Sequence, residues 1–249
     1  MKNFIYSFTI ILFLSSCGGV KEIAPSKYNP SFNFTPEERS QITANSLSVA
    51  IIDPVYSNGE DNILVEPYTS FVRNMADDIE ETLNASGFKI KGPYKTRDEM
   101  VYGDKLNSDF AIEIEVEIFS EGGSFGKKAA DFGTQMMCET CYKLGGTFYH
   151  KGRIIITGTD PMDGEKFWKK TLELDRKAVV TEGYKTFDGS KGRLTNEVIL
   201  SDTGIYNPVA KVLESYYAET ISSLSRQIDP REMQQISKQI KAKRKRVGQ

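Results

Sequence analysis

Four groups of side chains in this sequence have the types and spacing to do chemistry. The first is Cys17, which follows Leu14-Ser15-Ser16. Lys2, the apolar run over residues 4–14 and the small residues after it have the anatomy of a secretory signal, and its end reads as a bacterial lipobox. The chemistry is acylation of Cys17 (palmitate among the chains), cleavage before it, and anchoring at about 0.8 kcal/mol per buried methylene. A membrane-spanning reading fails, because that run is too short to cross about 30 Å of hydrocarbon.

The second group is the C-x-x-C pair Cys138 and Cys141. An exported chain meets oxidising surroundings, which favours a local disulfide. Two sulfurs cannot complete a tetrahedral zinc site, and His150, the only histidine, offers at most a third ligand. A redox role asks for the pair at a helix N-terminus after a strand, whereas here Gly133, Gly145 and Gly146 surround it. A structural disulfide or idle thiols stand ahead of metal or redox chemistry.

The third group is Glu113, Glu115 and Glu117. Paired carboxylates equip glycosidases, but only in a cleft that raises one pKa. Lys151 and Arg153 have the parity to lie opposite, so a charge-balanced, solvated sheet face is the better reading. The fourth is Lys243-Arg244-Lys245-Arg246, the densest charge in the chain. Cations favour a helix C-terminus, and a solvated helix end competes here with contact to an anionic surface. His150 has no Gly-x-Ser-x-Gly partner, and Walker, Gly-x-Gly-x-x-Gly and His-Glu-x-x-His patterns are absent. The expectation is a protein that is not an enzyme and needs no cofactor.

These groups are positioned by a recognisable alternation of elements. Residues 1–16 form the signal, 17–45 a tether interrupted by Pro25, Pro30 and Pro36, and 46–249 one globular domain. A strand over 47–52 ends at Asp53-Pro54; a helix over 67–85 shows apolar residues at helical spacing and stops at Gly87; a short strand covers 88–91. Thr96 to Glu99 has the form of a capping box opening a helix that ends near Gly103. Residues 110–119 alternate strictly between apolar and Glu, and strands over 152–159 and 166–174 flank the turn Pro161-Met162-Asp163-Gly164. The glycine-rich stretch 121–146 reads as a long loop. A long helix starts at Asn207-Pro208, and a last one is capped by Asp229. The fold class is α/β or α+β, a mixed sheet of five or six strands with helices on it and a helical C-terminus. A net charge of −2 argues against nucleic acid as a partner. Trp168, Tyr149 and Tyr184 are candidates for stacking on sugar rings, although strand aromatics are more often core.

The lipobox cysteine, the strand at 49–54, the segment Leu83-Asn84-Ala85-Ser86-Gly87-Phe88-Lys89-Ile90 and the hairpin Asp160-Pro161-Met162-Asp163-Gly164-Glu165 together resemble the neuraminyllactose-binding hemagglutinin family of bacterial lipoproteins. Tyr184-Lys185-Thr186, the long helix and the Lys-Arg-rich end extend the likeness over most of 47–246. The resemblance implies an outer-membrane lipoprotein, an adhesin-like module for sialylated or other anionic glycans. Lys127 and Lys128 match part of that family's basic segment after the Glu-bearing strand, while the C-x-x-C has no counterpart. The alternative is a periplasm-facing accessory lipoprotein that binds another envelope protein.

Overall fold

Strict alternation over 110–119 needs a strand with one apolar and one Glu-bearing face, and the computed structural model of the chain has that strand at its centre. Residues 26–36, 47–57, 65–192 and 194–248 are described. Cys17 and the signal segment lie outside them, as does most of the expected tether.

The main sheet contains β1 (Ser48–Ile52), β2 (Val55–Tyr56), β3 (Lys89–Tyr94), β4 (Phe110–Glu121), β7 (Thr147–Thr159) and β8 (Lys166–Val180). Its order is β3-β1-β4-β7-β8, with β2 continuing the β1 edge of β4. The first strands pair in parallel and β4-β7-β8 antiparallel, which makes the sheet mixed as expected. The parity is clean: Ile112, Ile114 and Val116 join Val49, Ile51, Ile154 and Ile156 on the face covered by helices. Helix α1 (Tyr68–Ala85) lays Phe71, Met75, Ile79 and Leu83 there, and α5 (Thr203–Gln227) adds Leu213, Tyr216, Tyr217 and Ile221.

The other face is thinly covered. Ala50, Ile52 and Ala111 meet Met100, and burying Met100 breaks the expected capping-box helix in two. What forms is a 3-10 turn, Arg97–Glu99, without a side-chain cap from Thr96, then α2 (Tyr102–Asn107), in which Gly103 lies inside the helix rather than at its end.

The stretch 121–146 is not a loop. It folds as β5 (Gly126–Ala129), α3 (Phe132–Met137) and β6 (Cys141–Gly145), and β6 pairs with β9 (Lys185–Asp188) to make a second, three-stranded sheet. The chain enters and leaves it through a narrow neck. A Cβ on Gly123 would sit 2.0 Å from the Thr147 carbonyl oxygen, and one on Gly146 2.5 Å from that of Ser124, both at positive φ.

Helix α5 starts a turn before the expected Asn207-Pro208, capped by Asp202, so Pro208 falls inside it. Proline has no N–H and leaves the carbonyl four residues back without its helical donor. That carbonyl belongs to Gly204, and the Glu182 amide fills the gap at 2.8 Å. A short α4 (Asn196–Leu200) precedes α5, and α6 (Pro230–Val247), capped by Asp229, ends the chain.

Residues 26–36, expected as free tether, lie against α1 and α5. Asn207 accepts from the Tyr28 amide and donates to the Ser26 carbonyl; Glu214 accepts from the Ser31 amide and the Tyr28 hydroxyl. Phe32 is buried edge-on against Phe71 and packed on Tyr217.

Candidate functional site

A cavity of about 450 Å³ opens where the main sheet, the N-terminal ends of α1 and α5, and the neck of the small sheet meet. Ile118, Phe119, Phe125, Phe148, Ile199 and Val209 give it a largely apolar wall. Tyr68 and Ser120 supply hydroxyls, and Glu121 stands at its edge, held by Lys151 and Arg176. Size and lining fit a small-molecule site, mostly apolar with a few placed polar groups.

His150 stands behind that wall. It is fully buried, with Nε2 at 2.9 Å from the Tyr68 hydroxyl and Nδ1 at 3.1 Å from Ser120 Oγ. Burial lowers its pKa to about 4, so the ring is neutral at pH 7. A neutral imidazole has one N–H and one lone pair. The ring also bonds the Phe119 backbone, and Ser120 bonds the Tyr68 hydroxyl, so the histidine and the two hydroxyls form one connected set behind the cavity wall. The histidine that sequence reasoning weighed for a triad or a metal set is thus a positioning residue for two cavity hydroxyls.

The small sheet presents the second feature. Lys127 and Lys128 are exposed on its edge strand, with Lys127 Nζ 4.4 Å from the Tyr142 ring centroid and Lys128 Nζ 4.0 Å from that of Tyr184. Of the other aromatic candidates, Trp168 is buried and Tyr149 is stacked by the Arg176 guanidinium at 3.3 Å. Cys138 and Cys141 form a disulfide. Asp188 is near both sulfurs, but neither is a thiolate available to a metal.

Glu113, Glu115 and Glu117 share one face of β4, half-buried, with buried Thr157 and Ile155 opposite the first two. Arg153 stands opposite Glu117 and pairs with it, lowering its pKa, and Thr159 donates to Glu113.

The C-terminal cluster divides. Lys245 and Arg246 are exposed, but Arg244 is buried. Its guanidinium makes two bonds to Asp160, at 2.7 and 3.1 Å, and donates to the carbonyls of Leu106 and Ser108. Lys243 bonds Asp160, Asp163 and Glu165. Burial works against its charge, but the three carboxylates outweigh that and hold its pKa above the usual lysine value. Two of the four residues expected at a solvated helix end or on an anionic surface therefore clamp the β7–β8 turn instead, because three acids surround it.

No protein-family model matches the sequence, and no curated protein matches it. Among solved structures, the chain is similar to a protein described as a neuraminyllactose-binding hemagglutinin homolog from Helicobacter pylori. Identity is 12%, 85% of this chain and 97% of that one are covered, and the TM-score is 0.57. A DUF330 protein from Xanthomonas campestris (11% identity, 80% and 92% covered, TM-score 0.36) and lipoprotein GNA1162 from Neisseria meningitidis (10%, 66% and 99%, 0.28) also match. The first likeness is one of fold.

Proposed function

We propose that this chain is a lipid-anchored, non-catalytic binding protein of the bacterial outer membrane, and that its cavity takes the apolar part of an amphiphilic ligand. The cavity carries the reading: an aromatic and aliphatic wall suits an acyl or comparably apolar group, and the Tyr68 and Ser120 hydroxyls at one side suit its polar end. This gives the periplasm-facing accessory role a ligand. Titration with a dansyl-labelled fatty acid tests it. Ile199→Trp, which fills the cavity from α4, should weaken binding about tenfold, roughly 1.4 kcal/mol, with an unchanged urea midpoint. Equal affinity in the variant would remove the cavity as the site.

A second reading, a surface adhesin for sialylated glycans, is favoured by Lys127 and Lys128, whose exposed ammonium groups rest on tyrosine rings. A sialylated-glycan array would then lose its signal on Lys127→Glu with Lys128→Glu. The two readings differ in which way the small sheet must point.

A further inference from the structure

The disulfide hairpin ends in an apolar tip. Phe132, Met136 and Met137 on α3 are 78%, 75% and 92% exposed. The tip is braced rather than loose. Asp131 caps α3 through the Thr134 amide and pairs with Lys143, and the disulfide closes the return. Three large apolar side chains on a rigid turn are each stabilised by being taken out of water. Solvated loops do not normally gather such residues, and a patch of this kind marks a contact surface.

Two observations say what covers it. The first is charge. Lys127 and Lys128 flank the tip and are exposed, while the nearby acids Asp131 and Asp188 are engaged, by Lys143 and by Thr140 with Ser190; Glu139 stands exposed in the disulfide loop. The second is the path of the chain. Ser26 is held by Asn207, one turn into α5, and that end of α5 abuts the small sheet through Glu182–Gly204 and Lys185–Asp202. Cys17 lies only nine positions before Ser26. Even fully extended, that span reaches about 30 Å.

We propose that the small-sheet end of the domain faces the membrane holding its anchor. Phe132, Met136 and Met137 enter the headgroup region, and Lys127 and Lys128 lie against anionic headgroups. Cations are attracted to the surface potential of an anionic leaflet, and amphipathic elements bind in this way at interfaces. The inference rests on acylation of Cys17, and it deepens the amphiphile reading, since the cavity lies at the same end.

The test uses the full acylated chain, carrying Met137→Trp, in vesicles of phosphatidylethanolamine and phosphatidylglycerol with and without brominated lipid. Trp168, which is buried, is subtracted as the parent's background. The introduced indole should emit at shorter wavelength and lose intensity with brominated lipid, and Lys127→Glu with Lys128→Glu should reduce both effects. A water-like spectrum insensitive to bromine overturns the inference while leaving the anchor intact. A short-wavelength spectrum without quenching overturns it in favour of a second copy of this chain covering the tip. An intact mass without acyl chains overturns the anchor and the inference together.

Discussion

At the scale of single residues, the chain spends its rare chemistry on position. His150 is the clearest case, because its environment sets its charge. Its ordinary pKa of 6.5 falls to about 4 on burial. Between those values the unfolded chain binds more protons, so folding stability declines as pH drops from about 6.5 to about 4. The full effect is on the order of 3 kcal/mol. Asp78, whose carboxyl is pushed up by burial, works in the opposite sense and is common to parent and variant. Urea unfolding of His150→Asn should show a flatter stability profile across that window, with the parent losing its advantage below pH 5. Parallel profiles would mean that the ring is solvated. None of this was legible in the sequence, where a lone histidine in a strand reads the same wet or dry. Arg244 was hidden for a related reason: a charge inside a basic run looks solvated until Asp160, 84 positions away, is folded beneath it.

At the scale of elements, strong periodicity was legible and cross-chain pairing was not. The β4 alternation, the apolar stripe of α1 and the Asp229-Pro230 start of α6 follow from local patterns, and the structure has all three. The small sheet escaped because its strands are four or five residues long and β9 pairs with β6 across a wide sequence gap. The strap over 26–36 escaped because prolines and single aromatics leave no period to read. It makes a definite prediction. Phe32 fills a site between Phe71 and Tyr217, so Phe32→Ala should cost about 3 kcal/mol, at the low end for a buried aromatic. The urea midpoint should fall, and trypsin should cut faster after Lys27, now freed from the Tyr206 ring. An unchanged midpoint and cutting rate would return the segment to the status of a free tether.

At the scale of the whole molecule, the two basic features lie at opposite ends. Strand β4 runs from Phe110, near the α6 clamp, to Glu121 at the neck of the small sheet, a 12-residue strand of about 40 Å. If the small sheet lies on the membrane, Lys245 and Arg246 point away from it, into whichever compartment holds the domain. Among the described residues no helix is long and apolar enough to cross a membrane. The exposed end of α6 then becomes a reporter of sidedness, because helix termini fray and are cut first. The accessory reading places the domain in the periplasm. Trypsin added to intact cells should therefore leave the C-terminus whole, and trimming after Lys245 or Arg246 should begin only once the outer membrane is permeabilised, with a periplasmic protein as lysis control. Trimming on intact cells would put the domain outside. The glycan reading of Lys127 and Lys128 would then require the small sheet to face outward as well, and a water-like spectrum from the Met137→Trp indole is the result that must accompany it.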